Sequence, residues 1–381
     1  MFETAGALVA FSSAANAGIA IPAGDWTIDI GGNVNAFYQH TTYGGHAAAP
    51  SSNTINTGLL PAAIGFGGKT RQNDLDVAFQ FTFFTGIDST TNTDAGGYGA
   101  NKALGLNSLN IRQAFMTVGD ASWGQIKLGR DLGVFESDAI LSDMTLLGVG
   151  TPAGGGNTTL GRIGYGYVYA DWKTQIQYQS PSFNGFQVTG AIDTPWASSN
   201  TNDAYNQQDM GYEGKATYDF AANDVTGRVW VGGVTQKVTL TGSAGSYTAT
   251  GFDLGGKVAY SGAELVASYF SGDGLGSLAQ LSGGTVAQTN NKIKSDGYYV
   301  QGTYKLPGVG TKLGLSYGES NTDKNGSTVG TSNNSWIVGA YHPLTKSVNV
   351  VAEYTYARQE SDTTSANTNS KTVSLGAIMF F

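Results

Sequence analysis

Polar and apolar residues alternate along most of the chain with a period of two. Because successive side chains of a β-strand point to opposite faces, this period predicts strands with one apolar and one polar face. The pattern recurs around Trp172, Phe252 and Tyr298 and in the last segment, which ends at Phe381. Helical spacing appears only as a short turn around Glu136 to Leu146. The most regular segment runs from Asp74 to Phe84, with Leu75, Val77, Phe79, Phe81 and Phe83 on one face and Asp74, Asp76, Ala78, Gln80 and Thr82 on the other.

Short and long connections alternate between these predicted strands. Short ones include Ser261-Gly262 and Leu306-Pro307-Gly308-Val309. If each long loop joins one pair of strands, eight long loops imply about 16 strands, and this alternation is typical of outer-membrane barrels. We therefore predict an all-β fold, a transmembrane antiparallel β-barrel. The long segments are rich in Gly, Ser, Thr and Asn and span residues 41–59, 87–108, 132–161, 193–208, 240–250, 272–294, 320–334 and 359–370.

The two faces of the predicted strands indicate lipid outside and water inside. A soluble sandwich would carry many Lys and Glu on its solvent face, whereas here the polar face is small and weakly charged. Aromatic residues mark the ends of the apolar face, as at Trp26, Tyr38, Tyr354 and Tyr356. A backbone group left unpaired in hydrocarbon costs several kcal/mol, so the first and last strands must pair and close the sheet.

Composition narrows the possible functions. The chain has 381 residues with 56 Gly, and its charged fraction of 13% is about half of the usual value. The absence of Cys excludes disulfides, thiolate metal sites and cysteine nucleophiles. A net charge of -8 provides no basic surface for a nucleic acid, so neither DNA nor RNA is expected as a partner.

The first residues have features of a secretory signal. An apolar stretch from Ala5 to Phe11 precedes the small residues that end in Ala15-Asn16-Ala17. Glu3 stands where Lys or Arg is expected, so this start would lie inside a longer leader; a frayed terminus is the alternative. We expect residues 1–17 to be the remnant of a signal peptide and residues 18–381 to form one barrel domain.

Several segments resemble the Gram-negative general porins, particularly the trimeric porins of the Betaproteobacteria. The resemblance lies in Arg112–Gly119, Trp123–Arg130, Gln177–Phe186 and the terminal Phe381, with a departure at Met379, where the family often has an aromatic residue. It implies a water-filled outer-membrane channel for passive diffusion of ions and small hydrophilic solutes. It also implies a homotrimer, contact with outer-membrane lipid and lipopolysaccharide, and recognition of Phe381 by the barrel-insertion machinery. No cofactor, metal or catalytic residue is expected.

The resemblance further implies that the third long loop, about Asp131 to Gly161, folds inward and narrows the lumen. Asp171 stands where a wall arginine is expected and Leu147 where some relatives carry an acid. Together with the net charge of -8, Asp171 tilts the expected selectivity weakly toward cations. On the loop, the acidic side of the constriction would be Glu136, Asp138 and Asp143, with Asp143 favoured. The basic side of the constriction would be Arg112, Lys127, Arg130, Arg162 and Lys173, with Arg112 opposite Asp143.

Other interpretations remain open at this point. A substrate-specific channel for a sugar or a carboxylate competes with the general pore, and an outer-membrane hydrolase or a soluble all-β adhesin are less favoured. His40, His46 and His342 are scattered without ligand spacing, which argues against a metal site. Tyr165, Tyr167 and Tyr169 alternate after the predicted third loop. We interpret them as an interfacial aromatic girdle rather than as a lumenal surface for stacking sugars.

Overall fold

The computed structural model describes residues 18–46, 49–87, 109–152, 158–196, 205–206, 209–240, 245–286, 289–326, 328–362 and 367–381. The predicted signal remnant, residues 1–17, lies outside this range, as does most of the predicted second long loop. Within the described part of the chain, no helix has the length and hydrophobicity that a membrane crossing requires.

Nineteen strands account for almost all regular structure in the described residues. All neighbouring strands pair antiparallel. They are β1 (Ile19–Ala23), β2 (Trp26–Gly45), β3 (Ser52–Asn56), β4 (Ala62–Gln72), β5 (Leu75–Thr85), β6 (Asn110–Asp120), β7 (Gly124–Leu132), β8 (Trp172–Gln179), β9 (Phe186–Asp193), β10 (Tyr205–Asn206), β11 (Gly211–Ala222), β12 (Val225–Leu240), β13 (Ser246–Tyr260), β14 (Ala263–Asp273), β15 (Lys294–Lys305), β16 (Lys312–Thr322), β17 (Thr331–Pro343), β18 (Val348–Ser361) and β19 (Thr368–Phe380).

These strands form a closed barrel of 16 positions, because three positions are shared by two strands each. β1 and β19 follow one another along the same edge of β2, β3 and β4 share its other edge, and β10 and β11 share one edge of β12. Pairing of β19 with β2, from Thr368–Gly45 to Phe380–Asn33, closes the sheet. The predicted fold and strand number are confirmed.

The chain terminus contributes to this closure. The backbone of Phe381 exchanges two hydrogen bonds with Gly32, at 2.9 and 3.1 Å. Phe381 therefore continues the ladder beyond the last residue of β19 and fills the space between β19 and β1.

The two faces of the wall separate as the alternation predicts. On β18, Val350 and Tyr354 are exposed to the outside, whereas Val351 and Glu353 between them are buried. On β8, Ile176 and Tyr178 are exposed while Lys173 and Gln175 are buried. Apolar side chains thus cover the outer surface, and polar ones face the interior.

The third long loop, residues 133–171, is longer than predicted, because the expected end at Gly161 falls ten residues early. The expected turn around Glu136 is confirmed as helix α1 (Ser137–Leu141), followed by a 3-10 helix over Met144–Leu147. Residues 162–171 are not part of β8, which begins at Trp172, and they pack inside the barrel. Isolated bridges join Gly150 to Gly161 and Tyr169 to Ala279 of the sixth long loop, residues 274–293.

Candidate functional site

Two buried carboxylates of the wall hold the third loop. Glu213 on β11 accepts hydrogen bonds from the backbone N–H groups of Val134 and Phe135. Glu353 on β18 accepts them from Val149 and Gly150, at 2.9 and 2.7 Å. Because both carboxylates lie on the inner face, these bonds place the loop against the inside of the barrel.

Close backbone approach fixes the segment around Gly148. Its carbonyl accepts a hydrogen bond of 2.9 Å from Leu59 N–H, in the link between β3 and β4. A Cβ at Gly148 would lie 2.0 Å from Oε1 of Glu353, and a Cβ at Gly58 would lie 2.0 Å from the Gly148 carbonyl oxygen. Glycine at positions 58 and 148 therefore allows the loop to contact Glu353 on one side and the link between β3 and β4 on the other.

Arg162, predicted as a wall cation, is a buried anchor of the loop. Its guanidinium donates to the Ser316 hydroxyl on β16 and to the hydroxyl and carbonyl oxygens of Ser335 on β17. Burial lowers its pKa to about 10, although the nearby charge of Asp143 opposes the shift. The side chain is fully buried and therefore does not face a water-filled passage.

Asp138, predicted on the acidic side, forms an ion-pair cluster with two cations that sequence reasoning missed. Its carboxylate contacts the Lys215 ammonium at 2.6 Å and the Arg228 guanidinium at 3.1 Å. Burial raises the pKa of Asp138, but these two cations outweigh burial and hold the pKa below its usual value. The alternation of β11, in which Lys215 shares the inner face with Glu213, was the available signal.

Asp143 lies inside the loop rather than opposite Arg112. Its carboxylate accepts hydrogen bonds from Thr145 N–H at 2.9 Å and from the Tyr167 hydroxyl at 2.8 Å, and the residue is only 3% exposed. It therefore caps the 3-10 helix. The expected facing pair of Arg112 and Asp143 is wrong, because each side chain has other neighbours.

The girdle interpretation of the three tyrosines is wrong as well. Tyr165, Tyr167 and Tyr169 belong to the third loop and pack inside the barrel, where the Tyr167 ring meets that of Tyr299 edge-on at 5.8 Å. The Tyr165 hydroxyl accepts a hydrogen bond from Gln359, and the Tyr169 hydroxyl accepts one from the Trp172 indole. These contacts hold the returning half of the loop against the interior.

Glu136 is buried without a hydrogen bond to its carboxyl oxygens among the described residues. Burial, together with the charge of Asp253, raises its pKa well above the usual value. The backbone is left-handed, with φ of 63°. The carboxyl is thus buried, close enough to Asp253 for their charges to interact, and is not exposed to solvent.

Lys127 and Lys173 lie on the inner face as predicted, and both are ion-paired. Lys127 pairs with Asp131, and its ammonium lies 4.9 Å from the Phe115 ring centroid. Lys173 pairs with Glu213 and donates to the side-chain carbonyl of Gln280 in the sixth loop, at 2.8 Å. Their positive charges are therefore largely balanced by neighbouring acids.

Arg112 and Arg130 keep more exposure than the other predicted cations. Arg112 sits at a β-bulge, where the register between β5 and β6 shifts, and its guanidinium lies 4.8 Å from the Phe84 ring centroid and 6.0 Å from that of Trp172. Arg130 is half-buried. Both cations act on Asp171, whose pKa is nevertheless raised by burial.

The sixth loop also folds inward, which the sequence did not predict. Its Leu278 carbonyl accepts a hydrogen bond of 2.9 Å from Tyr169 N–H, and Leu275 and Leu281 are buried. The interior is therefore narrowed by two loops that contact each other.

A cavity lies at the rim of the barrel formed by the short turns. It has a volume of about 550 Å³ and is lined by the ends of β4 to β8. Arg71 is ion-paired there with Asp76 at 2.9 Å and with Asp120 at 3.0 Å. Lys69 and Thr70 lie near the end of β4 at this rim. In the described part of the chain, no three His, Asp or Glu side chains could hold a metal ion.

Comparison with known proteins finds a matching family profile for this chain. A sequence profile described as Gram-negative porin matches residues 4–362. No curated protein sequence matches the chain at a significant level.

Solved structures share the fold at low identity. The outer membrane channel DcaP of Acinetobacter baumannii has a TM-score of 0.70 at 17% identity, covering 96% of this chain and 100% of that one. An anion-selective porin from Comamonas acidovorans has a TM-score of 0.67 at 14% identity, covering 93% and 100%. OmpF of Salmonella typhi, in a complex with daunomycin, has a TM-score of 0.65 at 18% identity, covering 95% and 100%.

Proposed function

Because the chain belongs to the Gram-negative porin family and is an outer-membrane channel for small solutes, we propose that its third and sixth loops form a constriction that favours anions. Diffusion through it is passive, and ions and small hydrophilic solutes pass along the wall of β4 to β8.

The observation that carries this proposal is the position of the loop acids. Glu136, Asp138 and Asp143 are all buried, whereas Arg112 and Arg130 remain partly exposed and outnumber the one partly exposed acid that the structure describes beside them, Asp171. Since fixed positive charge in a narrow passage attracts anions, this arrangement supports a preference for anions rather than the weak cation preference expected from the sequence. The same fold supports anion selectivity in the Comamonas acidovorans porin.

Selectivity in planar bilayers tests the proposal. We expect the reversal potential under a KCl gradient to show chloride preference, and Arg112→Ala or Arg130→Ala to reduce it. Lys346→Ala is the matched control, because Lys346 is exposed in the short turn between β17 and β18 and lies far from the third loop in sequence. A reversal potential that is unchanged in both arginine variants would refute the assignment.

We further propose that the protein assembles as a homotrimer in contact with lipid and lipopolysaccharide, that the insertion machinery reads Phe381, and that residues 18–381 are one domain. Family membership supports these points. Cross-linking of the detergent-purified protein would show the subunit number.

We propose no catalytic activity. His40 contacts Asn53 at 2.8 Å and His342 contacts Thr311 at 2.9 Å, and among the described residues neither histidine forms an ion pair with a carboxylate. Hydrolysis of lipid or peptide by the purified protein would contradict this.

A further inference from the structure

Between the two inward loops and the wall lies an apolar cavity of about 260 Å³. The wall contributes Phe84, Arg112 and Trp172, the third loop contributes Leu141 and Leu160, and the sixth loop contributes Leu278. Leu141 is 39% exposed and Leu278 is 42% exposed, so the rim of the cavity is in contact with solvent.

Such a surface is unusual inside a water-filled channel. A passage that only let hydrophilic solutes diffuse would gain nothing from exposed leucines, since water is held poorly by apolar walls. An apolar pocket with very few polar groups is instead the usual form of a small-molecule site.

Arg112 is the only charged side chain among the described residues that line this cavity. None of the ion pairs formed within the described part of the chain includes Arg112. Its guanidinium is held over the Phe84 ring at 4.8 Å and near the Trp172 ring at 6.0 Å. The aromatic faces thus hold the cation at the cavity. The charge of Asp171 acts on it, but these two side chains do not form an ion pair.

We propose that this cavity binds a small organic monocarboxylate with an apolar body, such as a single aromatic ring. The carboxylate pairs with the Arg112 guanidinium, which offers two parallel N–H donors to two carboxylate oxygens. The ring or chain covers the leucines. A volume below the roughly 300 Å³ at which pockets for drug-sized ligands begin limits the ligand to one ring or a short chain.

A neutral apolar solute would bring no anionic group into contact with the guanidinium, and a small inorganic anion would leave the leucines exposed to water. The site therefore discriminates by requiring both features in one molecule. This inference rests on the proposed function, because an anion-favouring passage must first admit the carboxylate.

Binding can be measured without conduction, using saturation-transfer NMR on the detergent-purified protein. The probes are benzoate, benzamide and acetate. We expect saturable benzoate binding at least about tenfold tighter than that of benzamide or acetate, since each of these lacks one half of the recognition. Equal affinity for benzoate and acetate, or for benzoate and benzamide, would overturn the proposal.

Two variants locate the site. Arg112→Gln should weaken benzoate binding about tenfold, as a charged pair becomes a neutral hydrogen bond. Leu278→Ala keeps the cation and truncates an exposed side chain, so it tests the apolar half if Arg112→Gln does not fold; we expect binding about three- to fivefold weaker. Lys346→Gln is the control and should bind benzoate as the wild type does. Unchanged benzoate binding in a folded Leu278→Ala or Arg112→Gln variant would refute the site.

The outcome separates this inference from the proposed function. If Arg112→Ala changes KCl selectivity but benzoate binds no better than acetate, the constriction stands and the carboxylate site falls. If benzoate binds as expected but selectivity does not depend on Arg112 or Arg130, the site stands and the selectivity proposal falls.

Discussion

Glu213 on β11 and Glu353 on β18 hold the two ends of one loop segment in the same manner, since each carboxylate accepts hydrogen bonds from two consecutive backbone N–H groups. Each also has a further wall partner: Lys173 for Glu213, and the Tyr341 hydroxyl, at 2.7 Å, for Glu353. The segment between them, residues 134–150, is therefore fixed at both ends by side-chain carboxyl oxygens that accept its backbone hydrogen bonds.

Glu353→Gln should loosen the second of these attachments. The two carboxyl oxygens of Glu353 accept hydrogen bonds from three donors, and an amide offers only one oxygen to them. We expect single-channel currents to become noisier and the heat-induced unfolding temperature in detergent to fall. Glu360→Gln is the control, because Glu360 lies on the same strand but is half-buried and paired with Arg358. Currents as steady as those of the wild type would contradict the anchoring role.

Asp138→Asn should increase the preference for anions. The substitution removes the carboxylate that contacts Lys215 and Arg228, whose side chains are 18% and 32% exposed. The charge of Lys215 would then act on the passage, whereas Arg228 stays paired with Asp219 at 2.6 Å. The reversal potential under a KCl gradient measures the change. Asp224→Asn removes the same charge from the short turn between β11 and β12 and should have a smaller effect; an equal shift in both variants would mean that only net charge matters.

The fold could be predicted from the sequence because the barrel wall is determined locally. Alternation along Asp74 to Phe84 reflects contact with lipid on one side and water on the other. The long loops are recognised by their high content of Gly, Ser, Thr and Asn. Eight long loops and 16 strand positions follow from these two signals.

The candidate site could not be predicted in the same way, because its contacts join residues that are distant in sequence. The inner face of β11 was readable from alternation, but nothing local shows that Lys215 meets Asp138. The alternation of Tyr165, Tyr167 and Tyr169 is typical of a strand, yet these residues belong to the third loop and pack inside the barrel. The inward course of the sixth loop leaves no periodic signal, since Leu275, Leu278 and Leu281 lie in a segment rich in Gly and Ser.

Glu136→Gln should stabilise the protein at neutral and alkaline pH. Burial raises the pKa of Glu136 in the folded state, so folding becomes less favourable as the pH rises above the ordinary glutamate pKa of about 4.3 toward the folded value. An amide does not ionise and avoids this cost. We expect the unfolding temperature of the variant in detergent to exceed that of the wild type at pH 8 and to approach it at pH 4.

Asp138, in the same loop, should make stability depend on pH in the opposite direction to Glu136. Its folded pKa is lowered, so its contribution to stability is present above the ordinary aspartate pKa of about 3.9 and is lost as the pH falls through the folded value. Asp138→Asn should therefore lower the unfolding temperature at pH 8, where Glu136→Gln raises it. Shifts of the same sign in both variants would contradict these assignments.

Deleting residues 140–150 should raise the single-channel conductance. This segment contains the 3-10 helix and its cap Asp143, and it bridges the interior from the Tyr299 side of the wall to Glu353 on β18. The barrel ladders do not depend on it, because β7 and β8 pair through residues 125–132 and 172–179. A wider aqueous cross-section carries more current, and bilayer recordings in KCl would measure it. Deleting residues 276–282 of the sixth loop is the companion variant, which should raise conductance less if the third loop is the narrower obstacle. A conductance unchanged by the first deletion would mean that ions pass elsewhere than beside this loop.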